Sequence, residues 1–159
     1  MLALFYLFIS LSKTSDETKK PETMQGSQSQ KSLKDAPAIS TYAADLEVPW
    51  AIGFLPDGAM LVTERPGRVR IIDLNGDVSE PIATIQVSAT SESGLHGIAV
   101  DPDFITNNNI YLYYTYRSEG NNTLNRVARY GFENQRFIEE KIIVDRIPGA
   151  PNHDGGRIK

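Results

Sequence analysis

Ala51-Ile52-Gly53-Phe54-Leu55-Pro56-Asp57-Gly58 and Gly97-Ile98-Ala99-Val100-Asp101-Pro102-Asp103-Phe104 are two versions of one phrase, a run of small and apolar residues closed by Pro-Asp. They stand 46 residues apart, and each copy opens a series of short β-prone runs. These runs cover residues 50–55, 60–64, 69–74, 82–87, 95–100, 110–116, 125–132 and 138–144. Turn residues divide them: Pro56-Asp57-Gly58, Pro66-Gly67, Asn75-Gly76, Pro102-Asp103, Asn107-Asn108-Asn109 and Glu119-Gly120-Asn121-Asn122. No stretch beyond Thr41 holds the three-and-four spacing of a long helix. Four strands per repeat, at a period of about 40–50 residues, is the pattern of a β-propeller blade. The competing reading is a sandwich in which two Pro-Asp turns coincide by chance. Gly and Ala on the first strand of each copy suit the crowding beside a central channel. A third start, Gly155-Gly156-Arg157-Ile158, follows at the end of the sequence. The expectation is an all-β chain holding about the first two blades of a propeller and the beginning of a third. Propellers close with four to eight blades, and an open array leaves an unpaired sheet edge and an apolar face. The chain is therefore expected to open a longer protein.

Working outward, residues 2–11 read LALFYLFISL, an apolar run broken only by Ser10. As a helix it would rise roughly 15 Å, half of a hydrocarbon core, which fits the apolar part of an export signal better than a membrane span. No Lys or Arg precedes it. Residues 13–40 are mostly Ser, Thr, Lys, Gln, Glu and Pro, too polar to offset the entropy of ordering. The expected plan is a signal peptide or short anchor over 1–12, a polar linker over 13–40 and the propeller portion over 41–159. Such a protein would be extracellular, periplasmic or held at the outer surface of a membrane.

Composition removes several classes. With 16 basic and 20 acidic side chains the net charge is -4, which argues against a nucleic-acid partner. The absence of cysteine removes disulfides, cysteine-held metals and thiol nucleophiles. No phosphate-cradling glycine loop or serine elbow is present.

The residues able to do chemistry gather in two short stretches, Ser91-Glu92-Ser93-Gly94-Leu95-His96-Gly97 and Asn152-His153-Asp154-Gly155-Gly156-Arg157. His153, on a Pro- and Gly-stiffened loop, is either a solvated histidine or a proton acceptor whose pKa its neighbours can tune. His96 occupies the position Trp50 holds one repeat earlier, so it either fills space beside the channel or faces a ligand. Glu92 is either solvated or turned toward a polar ligand. Tyr111, Tyr113, Tyr114 and Tyr116 resemble a sugar-stacking strip, but strand alternation sends them to opposite faces.

At these residues the chain resembles the glucose/sorbosone dehydrogenase family, soluble aldose dehydrogenases dependent on pyrroloquinoline quinone (PQQ). The resemblance rests on Leu46-Glu47-Val48-Pro49-Trp50-Ala51-Ile52, on the segment from Leu55 to Val69, on Glu92 to Ala99 with Asp101-Pro102-Asp103-Phe104, and on His153 to Ile158. It implies a six-bladed propeller with PQQ over the channel, held with calcium. It further implies that His153 takes the proton from the anomeric hydroxyl of an aldose as hydride moves to the quinone, giving a lactone. Glu92 falls near the cofactor and substrate, Asn152 and Asp154 become candidates to orient the imidazole, and Arg157 braces its strand. His96 departs from the family's usual apolar residue, and is kept among the cofactor- or substrate-binding candidates. Basic cofactor contacts and the calcium ligands are expected in later blades, with no metal ligand in this chain, so the chain alone is expected to be inactive. An aldose, a downstream electron acceptor, a membrane tether and a homodimer are the implied partners. The rival function is a non-catalytic exported propeller that binds a glycan or a protein, since one fold hosts many functions.

Overall fold

The computed structural model describes residues 39–159. The apolar run at 2–11 and nearly all of the polar linker lie outside those residues. Eight strands follow: β1 (Pro49–Phe54), β2 (Met60–Glu64), β3 (Arg68–Ile72), β4 (Ala83–Thr84), β5 (Leu95–Val100), β6 (Asn109–Arg117), β7 (Thr123–Glu133) and β8 (Arg136–Pro148). They form two four-stranded antiparallel sheets, ordered β1-β2-β3-β4 and β5-β6-β7-β8. The first strands of the two sheets begin at Pro49 and Leu95, the 46-residue offset seen in the sequence.

The first two hairpins close on residues that punctuate the sequence, whereas β7 turns into β8 at Asn134 and Gln135, both at positive φ. Gly58 adopts φ 91° and its N–H donates to the Leu55 carbonyl at 2.9 Å, while the Asp57 carboxylate accepts from the Ala59 N–H at 3.0 Å. Gly67, at φ 115°, closes β2 onto β3 by donating to the Glu64 carbonyl. The second Pro-Asp behaves differently. Phe104–Asn107 follows it as a single helical turn, α1, which ends on Asn108 in the left-handed region. Phe stands where the first copy has Gly, so a tight glycine turn is not open to this copy.

The core lies between the sheets. Leu61, Val69 and Ile71 of the first pack with Leu95, Ile98, Ile110, Leu112, Tyr114, Ala128 and Tyr130 of the second. Ile110, Leu112 and Tyr114 share one face of β6 by alternation, and Tyr113 points the other way. β1 and β5 approach closely: a Cβ at Gly53 would lie 3.2 Å from a Val100 methyl. β4 is only two residues long, and the segment up to Val87 continues as irregular chain. The expected third-blade start, Gly155 to Ile158, is irregular, yet it is seated: a Cβ at Gly97 would fall 2.1 Å from the Gly156 carbonyl oxygen.

Candidate functional site

Two loops meet at the edge where β5 begins. The first, ending at Gly94, is clamped to the first sheet. Arg65 donates through Nη1 to the carbonyls of Ser91 and, at 3.4 Å, Ser93, and the Arg65 carbonyl accepts from the Leu95 N–H at 2.9 Å. Gly94 sits at φ 148° with its Cα against that carbonyl, where any Cβ would be 2.3 Å away, so only glycine fits. The second loop leaves β8 at Pro148 and runs to Gly156.

Three consecutive residues of one loop bind three of the other, each pair 61 apart in sequence. The Ser91 hydroxyl donates to Asn152 Oδ1 at 2.9 Å, the His153 backbone N–H donates to Glu92 Oε2 at 2.8 Å, and the Ser93 hydroxyl donates to Asp154 Oδ2 at 2.5 Å. Glu92 and His153, selected separately from the sequence, are thus in direct contact. His153 has φ 62°, a left-handed conformation that costs a non-glycine residue about 1–2 kcal/mol, and its side chain is exposed. The Glu92 carboxylate on its amide helps hold it there.

Asp154 turns inward. Its Oδ1 accepts from the Ala150 N–H at 2.7 Å and from Asn125 Nδ2 at 3.2 Å, and its carbonyl accepts from the Tyr113 hydroxyl at 2.6 Å. Burial pushes its pKa up, but the bonds from Ser93, Ala150 and Asn125, with the nearby His96, bring it below the ordinary carboxylate value. Asn152 and Asp154, candidates to orient the imidazole, spend these bonds on the facing loop, on β7 and on their own loop. They fix the backbone that presents His153.

His96 is 1% exposed. Its ring stacks on Trp50, with centroids 4.5 Å apart and planes 20° apart, and lies parallel to Tyr113 at 6.1 Å. Nε2 is 2.9 Å from the Glu92 carbonyl oxygen. A carbonyl only accepts, so the proton is on Nε2. Nδ1 is buried without a hydrogen-bond partner among the described residues. Burial lowers the His96 pKa; the bond to Glu92 and the Asp154 charge act the other way, and Arg65 adds to the lowering. Space filling beside Trp50, one of the two sequence readings, describes this side chain, and direct contact with a ligand would need the stack to open.

The four tyrosines are occupied within the fold. Tyr111 donates to Asp101 at 2.8 Å, Tyr114 to Glu140 at 2.5 Å and Tyr116 to Asp145 at 2.7 Å, while Tyr113 serves the Asp154 loop. A groove of about 790 Å³ runs beside the loops, with Trp50, Ile52, Gly53, Gly97, Gly156 and Arg157 among its lining. Among the described residues there is no group of three or more His, Cys, Asp or Glu that could hold a metal ion. Ser91, Ser93, Tyr113 and Asn125 carry the loop junction, a role the sequence assigned to none of them. The 61-residue spacing that joins the two triplets exists only after β5 to β8 have folded.

Two antiparallel blades with a histidine and a glutamate brought together at the strand-entry edge define a partial β-propeller with its candidate site between blade loops. The chain belongs to the glucose/sorbosone dehydrogenase family, whose model matches residues 46–159. It is 31% identical over 156 residues to an uncharacterized protein of Synechocystis sp., a match covering 91% of this chain and 36% of that protein. It is 29% identical over 119 residues to aldose sugar dehydrogenase YliI of Escherichia coli K12, covering 71% of this chain and 32% of that one. The PQQ-bound aldose sugar dehydrogenase of Streptomyces coelicolor superposes with a TM-score of 0.69 at 28% identity, over 76% of this chain and 37% of that structure. The chain thus spans about a third of the length of the curated relatives it matches.

Proposed function

We propose that this chain supplies the proton-accepting part of a PQQ-dependent aldose dehydrogenase, with His153 as the general base. The observation that carries the reading is the Glu92–His153 contact, which gathers an exposed imidazole and a carboxylate at one blade edge. The structure of a PQQ-bound relative adds the cofactor by analogy.

An aldose hemiacetal becomes a lactone by losing the C1 hydroxyl proton and a hydride from C1. The proton goes to an imidazole nitrogen of His153; bound PQQ would supply the two-electron acceptor. Glu92 and the Ser91–Asn152 and Ser93–Asp154 bonds hold the His153 backbone, so the base is placed before substrate arrives. Glu92 is the side chain of this chain kept for the cofactor or substrate, and Arg157, just past the loop, keeps its strand-bracing role. Calcium, further cationic contacts and the acceptor that receives the electrons are assigned to parts of the protein other than this chain. The segments at 1–12 and 13–40 remain assigned to export or anchoring and to a linker.

The test uses the longest polypeptide that carries this chain, supplied with PQQ and calcium, and follows dye reduction with glucose and other aldoses. His153→Ala should lower kcat by about 10²–10⁴, the usual cost of losing a general base. A rate within about twofold of the parent would reject the assignment, being far below that cost.

A further inference from the structure

We propose that His96 is a positioning residue, setting through the Glu92 carbonyl and Gly156 the separation of the two loops that carry Glu92 and His153. The importance of that separation rests on the reading of His153 as the base.

The ring is too deeply covered to meet a ligand, yet its contacts end on both loops. Toward one loop, Nε2 donates to the Glu92 carbonyl at 2.9 Å, fixing the backbone of the residue whose carboxylate holds the His153 amide. Toward the other, Gly156 lies flat on the ring: a Cβ there would be 2.6 Å from His96 Cβ and 2.7 Å from Nδ1. Tyr113, parallel to the ring, donates to the Asp154 carbonyl on that same loop. Trp50 closes the opposite side and fixes the plane of the imidazole.

An apolar side chain could fill this slot without burying the partnerless Nδ1, which carries a desolvation cost. What the imidazole adds is one directed donor at a set height above β5. A leucine would leave the Glu92 carbonyl without that donor and free the loop to shift.

The test is NMR on the full chain. Long-range ¹H–¹⁵N spectra of His96 in the wild type should show a neutral ring protonated on Nε2; the Nδ1–H tautomer would overturn the proposal with no variant needed. The His153 amide resonance should also move as the Glu92 carboxylate titrates, an excursion that Glu92→Gln abolishes. His96→Leu should at least halve that excursion while circular dichroism stays native, and His96→Gln, whose amide N–H reaches the Nε2 position, should retain it. An unchanged excursion in a folded His96→Leu would overturn the proposal. If the leucine variant does not fold, His96→Gln decides: retention supports the proposal and loss overturns it. None of these readouts involves sugar turnover, so the base assignment and the positioning role stand or fall separately.

Discussion

Asp154 shows how much a single side chain can hold at this edge. Its carboxylate gathers one hydroxyl, one backbone N–H and one amide from three different segments, and its carbonyl takes a fourth donor from Tyr113. Charged acceptors make the stronger hydrogen bonds, and a buried donor left without a partner costs more than the bond itself contributes. Asp154→Ala should therefore lower unfolding free energy by about 1–3 kcal/mol at neutral pH. The urea midpoint should fall with an unchanged slope, and loop 149–156 should lose amide protection ahead of the strands. A midpoint equal to wild type would mean that the loops are joined by something other than this carboxylate.

Elements were easier to read than contacts. All eight β-prone runs correspond to strands, because alternation and turn chemistry are local: Asp57-Gly58 and Pro66-Gly67 fix hairpins within a few residues of themselves. The exceptions have tertiary causes. β4 shrinks to a two-residue edge, while β8 extends to thirteen residues because long β7 offers it a ladder. β8 stays an edge strand of the described sheet, broken by register shifts and carrying Glu139, Glu140, Lys141, Asp145 and Arg146, which discourages pairing with another chain. For the site, sequence picked Glu92 and His153 but gave no sign that their loops interlock residue by residue. His96 was legible as Trp50's counterpart and as a binding candidate; its donor role depends on the carbonyl of Glu92, four residues earlier, which only the fold brings to Nε2. Glu64, at the end of β2, was not selected at all. Its buried carboxylate accepts from the Glu47 amide at 2.6 Å and from Arg68 at 2.6 Å, with Arg70 at 3.7 Å. Burial raises its pKa, but the Glu47 amide and the two arginines leave it below the ordinary value. Glu64→Gln keeps the shape and removes the charge, leaving two arginines facing a neutral amide. Thermal unfolding should drop by several degrees, corresponding to about 1–3 kcal/mol, since Glu64 is fully buried.

At the scale of the whole molecule these groups combine into a pH dependence with two stages. His96 is held neutral, its pKa below the ordinary 6.5 chiefly through burial, with the Glu92 bond and Asp154 opposing and Arg65 assisting. As pH falls past the unfolded-state value, the unfolded chain takes up a proton at this position and the folded chain does not. Stability therefore declines from about pH 6.5 downward until the folded His96 is itself protonated. The carboxylates act lower. Glu64, Asp73, Asp101, Asp145 and Asp154 all have depressed values, so each contributes stability that is complete above its unfolded pKa near 4 and is lost as pH falls through the folded one. Urea midpoints should thus fall modestly between about pH 7 and pH 5 and steeply below about pH 4. His96→Gln carries no titrating ring, so it should remove this residue's share of the upper decline while leaving the lower stage in place. If the variant follows the wild-type curve throughout, the buried imidazole contributes nothing to the acid response. If the lower stage is absent in both, the paired carboxylates are not what acid dismantles.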